Sequence, residues 1–428
     1  MIEMDAVLFS SELLPLVASF QDGIYADARP FRAFAARHTL PPLLHDAHKV
    51  KDVLTRLDAL ITPWYAAYPN YHRLPQLCRC VPALPRYLVL HAAFFGHMTI
   101  LVHLHKTIGP LQDTFPHDNL LDVAAFHGQL ETLVYLDSLG HPGCTTRAMD
   151  VAAQANHMDI VAFLHTHRTE GGTEWAMNGA AYHGHLNMVE WLHTHRSEGC
   201  TKSAMDCAAQ YNYLEIVKFL HAHRTEGCTT KAMDYAAANG HLEVVQFLHT
   251  HRDEGATRQA IEWAAKNNHV EMVKFLLKFR TEGSVASVLV IAAANGNMQI
   301  VNCFIQGQKE SLVLQMLEEA AANGHFGMIK FLFPKCKDAC TTRALDRAAA
   351  NGHLEIVRYL ITHRHHGCAA EKQFDPLYLD ELKKVPFLTV CPKSAALQQA
   401  EMNGHADVAM YLSSMGSKKN NFLRCVVM

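Results

Sequence analysis

Histidine and cysteine carry the chemistry worth asking about first. The chain of 428 residues holds 30 histidines and 12 cysteines. Eight histidines pair as His165/His167, His193/His195, His221/His223 and His249/His251, each inside a Leu-His-x-His-Arg string. On a helix, residues i and i+2 point about 200° apart, so the members of a pair cannot share one ion. Equivalent histidines on neighbouring packed helices would stand about 10 Å apart, again too far. The expectation is no metal and no cofactor, with one histidine of each pair packed on a neighbour and the other near a helix end.

Cys78-Arg79-Cys80 lacks the spacing of a zinc knuckle and has no matching pair downstream. No GxxxxGK[ST], GxGxxG, HExxH or GxSxG string occurs in the sequence, so no catalytic residue is expected and the chain reads as a non-enzyme. Cys144, Cys200, Cys228, Cys340 and Cys368 share one repeat position, which suits reduced thiols in an intracellular compartment better than a disulfide framework. The last four residues, Cys425-Val426-Val427-Met428, fit the C-a-a-X pattern with Met where farnesylation prefers it. Cys425 is the lipidation candidate. One prenyl chain beside Lys418, Lys419 and Arg424 would give weak, reversible, peripheral membrane contact.

Charge narrows the partners. With 38 basic against 41 acidic residues the formal charge is −3, which offers no field for nucleic acid. Hydrophobic residues make up 49% and charged residues 18%, a globular balance. The N-terminal stretch MIEMDAVLFSSELLPLV carries acids where a signal peptide carries bases. The most apolar stretch, Tyr87 to Leu104, is interrupted by His91, Gly96, His97 and His103, a poor membrane span. The expected location is cytoplasmic.

What positions these residues is a repeat. An Ala-Ala pair recurs with its second member at 125, 153, 181, 209, 237, 265, 293, 321 and 349, eight identical steps of 28. Looser copies at Ala92-Ala93 and at 400–404 bring the count to about eleven. In the unit beginning at Cys228, Met233, Ala236 and Ala237 mark the apolar face of a first helix, and Leu242, Val245 and Leu248 that of a second. Between them runs a column of only glycine and asparagine: Gly128, Asn156, Gly184, Asn212, Gly240, Asn268, Gly296, Gly324, Gly352. These residues best accept the left-handed conformation that ends a helix. The Phe247 column is aromatic in eight of nine copies, Cys303 being the exception. Glu131, Asp159, Glu215, Glu243, Glu271 and Glu355 fall at the start of the second helix. Arg168, Arg196, Arg224, Arg252, Arg280 and Arg364 fall at its end, as the helix dipole favours.

The run AMDYAAANGHLEVVQFLHTHRDEG resembles the ankyrin repeat, whose pattern is TPLHxAAxxGHxxIVxxLL followed by Gly, over roughly residues 87–413. The Thr-Pro-Leu-His opening is replaced by forms such as TTKAMD. The unit is five residues shorter than the usual 33, which implies a trimmed β-hairpin finger. The resemblance implies an all-α, ankyrin-type helix-turn-helix solenoid that binds another protein and works as a monomer. With short fingers, binding would fall to variable positions of the first helices, on the concave face in family geometry: Trp175, Tyr182, His183, Gln210, Tyr211, Tyr235, Trp263 and Lys266.

The flanks differ. Residues 1–86 hold nine of the sixteen prolines and a helical stretch near Val50–Ile61, and read as a helical, proline-rich N-terminal cap. Within them SSELLPLVASF resembles an F-box, which would make the chain a substrate receptor of a ubiquitin ligase. The expected plan is a cap over 1–86, a repeat array over 87–364 and an irregular insertion over 365–394. A terminal repeat-like unit over 395–413 and a flexible tail over 414–428 complete it.

Overall fold

The structure, a computed structural model, describes residues 20–21, 24–38, 47–336, 342–363 and 392–414. The regular elements among the described residues are helices but for two two-residue strands, Phe20–Gln21 and Ile24–Tyr25, paired antiparallel. Together the helices form an all-α solenoid of helix pairs. They divide into two compact units, 1–208 with 215–227 and 209–214 with 228–428.

The unit-building logic is clearest at Thr229. Its hydroxyl accepts the Lys231 N–H at 3.1 Å and caps helix Thr230–Ala238, satisfying an N–H the helix itself leaves unpaired. Ala232, Met233, Ala236 and Ala237 are buried on one face of it. The chain then reverses at Gly240, φ +79°, and His241 leads into helix Leu242–His251, which buries Val244, Val245 and Leu248. All nine members of the Gly/Asn column have φ between +62° and +82°. Alanine at the paired positions lets the first helices approach closely. Thr146–Gln154 packs on Glu174–His183 in the first unit, and Thr230–Ala238 on Arg258–Lys266 in the second.

The turn histidines staple repeats together. His241 Nε2 donates to the Gln210 carbonyl at 3.1 Å, His325 to Ala294 at 2.9 Å and His353 to Ala322 at 3.0 Å. A second staple joins the first helix of one repeat to the capping threonine of the next. Asp122 accepts both the backbone N–H and the hydroxyl of Thr145, at 2.9 and 2.7 Å. Asp150 does the same with Thr173, and Asp234 with Thr257.

The arginines stand at the helix end as expected: Arg168, Arg196 and Arg252 are C-cap residues with extended backbone. Each also pairs with a glutamate two residues on: Arg168 with Glu170, Arg196 with Glu198, Arg224 with Glu226, Arg252 with Glu254, Arg280 with Glu282. The glutamate in turn accepts a backbone N–H one repeat earlier, as Glu254 does from Cys228 at 3.2 Å. Arg364 lies outside the described residues.

Before the strict array, helix Ala47–Ala67 extends the expected Val50–Ile61 segment and buries Val50, Val53, Leu54, Leu57, Ile61 and Trp64. It packs against Leu84–Phe95. Asp27 ties this region by accepting from Trp64 Nε1 at 3.1 Å and Arg73 at 3.0 Å. At the other end, helix Pro392–Met402 stacks directly on Thr342–Ala350. Asn403 Nδ2 donates to the Ala350 carbonyl at 2.7 Å. The turn histidine His405 follows His353 by 52 residues instead of 28, so 24 extra residues intervene without breaking the stack. Among the described residues no helix is long and apolar enough to cross a membrane.

Candidate protein-binding surface

The variable first-helix positions stand out against this repeating frame. In the first unit, Trp175 lies one residue inside helix Glu174–His183 and is 67% exposed, and Tyr182 near its end is 42% exposed. Gly179 falls between them. Residues 175, 179 and 182 are four and three apart, so they share one helical face. Gly179 is small for a packing reason: a Cβ there would stand 3.0 Å from the Gln154 Cβ of the neighbouring helix. Gln154 therefore packs close against the helix between the two exposed aromatics, a feature not singled out from the sequence. His183 is exposed, its ring 4.8 Å from that of Tyr182 and its Nε2 accepting from the Gln154 amide at 3.2 Å.

In the second unit the candidates separate. Tyr211 is 39% exposed, its ring 6.4 Å from that of Tyr213. Gln210 is half-buried, and its carbonyl accepts from Asn239 Nδ2 at 2.9 Å as well as from His241. Tyr235 and Trp263 occupy the same slot of consecutive repeats and stack on each other, rings 5.7 Å apart and 2° from parallel. Both are half-buried by that stack. Lys266 is exposed, while its carbonyl accepts from Asn297 at 2.8 Å. The slot of Tyr235 and Trp263 is filled two repeats later by Glu319, which pairs with Arg347 in the next.

The paired histidines go to different neighbours. His167 stacks on Phe163 at 4.2 Å and donates from Nδ1 to the Phe163 carbonyl, and His251 treats Phe247 the same way. His165 and His249 turn edge-on to the next repeat's aromatic, Trp191 at 5.4 Å and Phe275 at 5.5 Å. Burial pushes the thiols of Cys144 and Cys200 up to about 12 and about 11, so neither presents a thiolate near neutral pH. Among the described residues one group of three side chains has metal-ligand spacing: Asp58, His91 and His97. Sequence reasoning passed over it, because His91 and His97 precede the strict array and Asp58 lies 33 residues before His91. The F-box-like segment, Phe20 apart, and Cys425 lie outside the described residues, as do Cys340 and Cys368.

Helix pairs capped by threonine, reversed at glycine or asparagine and stapled one to the next define a tandem helical-repeat protein. A family profile for ankyrin repeats, three copies long, matches residues 149–234, 205–287, 289–374 and 317–423. The chain belongs to the ankyrin-repeat family, whose members generally bind other proteins. No curated protein matches its sequence.

Proposed function

We propose that this protein is a non-enzymatic, monomeric, cytoplasmic scaffold that recognises another protein through the first-helix faces of its repeats. The observation that supports the reading most directly is the exposed pair Trp175 and Tyr182 flanking Gly179. Neither ring belongs to the buried face of the helix, which is formed by Ala176, Met177, Ala180 and Ala181. Aromatic anchors in a desolvated interface are worth about 2 kcal/mol or more each, and 1.4 kcal/mol is tenfold in affinity. Tethering through a farnesyl group on Cys425 belongs to the same proposal and rests on the tetrapeptide alone.

The test is affinity purification with mass spectrometry from a eukaryotic cell, comparing wild type with a Tyr182→Ala/Tyr211→Ala variant, Trp175→Ala and Cys425→Ser. Both aromatic variants should keep their helical circular dichroism and lose the captured partner. Capture unchanged in both aromatic variants would refute the surface. Recovery of a cullin-type adaptor that depends on residues 10–20 would replace the scaffold reading with the ligase one. An unmodified Met428 would remove the lipid.

A further inference from the structure

Asp58, His91 and His97 come from three separate elements: helix Ala47–Ala67, helix Leu84–Phe95 and the turn leading into helix Met98–Ile108. Each offers one donor atom, and the three atoms lie within 4.8 Å of one another. Four features distinguish this group from a chance meeting of polar side chains.

His91 is fully buried, where an apolar residue would pack at less cost. Its Nε2 lies 3.0 Å from Asp58 Oδ1, to which the imidazole donates, while its Nδ1 is buried with no hydrogen-bond partner. The same Oδ1 also accepts the Thr62 hydroxyl at 2.9 Å, a second contact that holds the carboxylate in place. The two imidazole rings stand with centroids 5.3 Å apart and planes 28° from parallel, close to the ~5.2 Å expected for two imidazoles bound tetrahedrally at ~2.0–2.1 Å.

We propose that Asp58, His91 and His97 bind a zinc ion, with water in the fourth position. Two imidazoles and one carboxylate suit a borderline divalent transition metal rather than magnesium or calcium. Asp58 and His97 are each only partly buried, which leaves a side for the water and a path for the ion. Phe95, with its ring 4.8 Å from His91 and 6.0 Å from His97, supplies an apolar wall. The ion would clip the long N-terminal helix to the first helix pair. Binding to the folded state alone would then stabilise that junction.

The experiment uses the full chain, stripped with chelator and titrated with zinc and with cobalt(II). Wild type should take up one tightly held equivalent, with the visible absorption of tetrahedral cobalt. Amide exchange over 47–67 should slow when zinc is added. Asp58→Asn and His97→Gln should weaken binding at least 100-fold and abolish the zinc-dependent slowing, while His165→Gln changes neither. Should His97→Gln fail to fold, Asp58→Asn at its half-exposed position carries the test. Zinc uptake unchanged in Asp58→Asn would place the binding elsewhere and overturn the proposal. So would uptake no tighter than that of exposed histidines, or a preference for iron(II) with an octahedral spectrum.

Discussion

Replacing Asp122 by asparagine should make the array more stable at pH 7.5 and less sensitive to pH. The Asp122 carboxyl is fully buried and accepts two hydrogen bonds from Thr145. Burial nevertheless dominates and raises it from 3.8 to about 6, against the lowering effect of those bonds. An acid whose folded value lies above its unfolded one holds its proton more tightly when folded. Its stability contribution therefore grows as pH falls from about 6 and is lost as pH rises through that value. The cost of the buried charge is about 3 kcal/mol at pH 7.5, about half that at pH 5, and little below 3.8. Asparagine keeps both bonds, as one repeat already demonstrates: Asn178 accepts the Thr201 N–H and donates to its hydroxyl, each at 3.0 Å. A repeat array need not unfold in two states, so the assay is amide hydrogen exchange over 120–154, corrected for intrinsic rate. Exchange in Asp122→Asn should be slower by up to about 100-fold at pH 7.5, with a smaller advantage at pH 5. Asn178→Asp should create the opposite change at its own repeat. Faster exchange in Asp122→Asn at pH 7.5 would refute the reasoning, since it would mean that the charge-assisted bonds outweigh desolvation.

Three further outcomes follow from the packing. Gly240→Ala meets two penalties, a left-handed φ of +79° and a Cβ 2.6 Å from His269 Nδ1. Its loss in thermal unfolding should exceed the 1–2 kcal/mol, roughly, of left-handed strain alone. Ala236→Leu adds volume at a fully buried helix contact and should destabilise by about 1–3 kcal/mol or more, read from the urea midpoint. Excising 24 residues between His363 and Pro392 restores the 28-residue step between His353 and His405. The shortened chain should keep its helical circular dichroism and the exchange protection of 392–414. Loss of that protection would show that the insertion, rather than the Asn403 and His405 contacts, docks the last helix pair.

The period made most of the fold legible, because a column of identical residues reports a shared environment even when no single copy does. Ala236 and Ala237, the Gly/Asn turn and the Thr229 cap are local features, each explained within one unit. The staples escaped because they join residues 23 or 31 apart, such as Asp122 with Thr145 and His241 with the Gln210 carbonyl. Those pairs are visible only once helices of consecutive repeats stand side by side. The Asp58–His91–His97 group escaped for a related reason, having no copy elsewhere against which to compare it. The proposed binding surface obeys the reverse rule, since positions committed to stacking repeat and only uncommitted ones vary. In the second unit a single backbone slot carries Tyr235, Trp263, Ile291, Glu319 and Arg347. The first two stack face to face and the last two form an ion pair, while the helices beneath keep the same buried alanines. Because the alanines and turns carry the stacking energy, the slot above them is free to change from aromatic to charged. A surface so decoupled from its core can vary without changing the fold, which is why the residues proposed to contact a partner are the ones least predictable from the repeat.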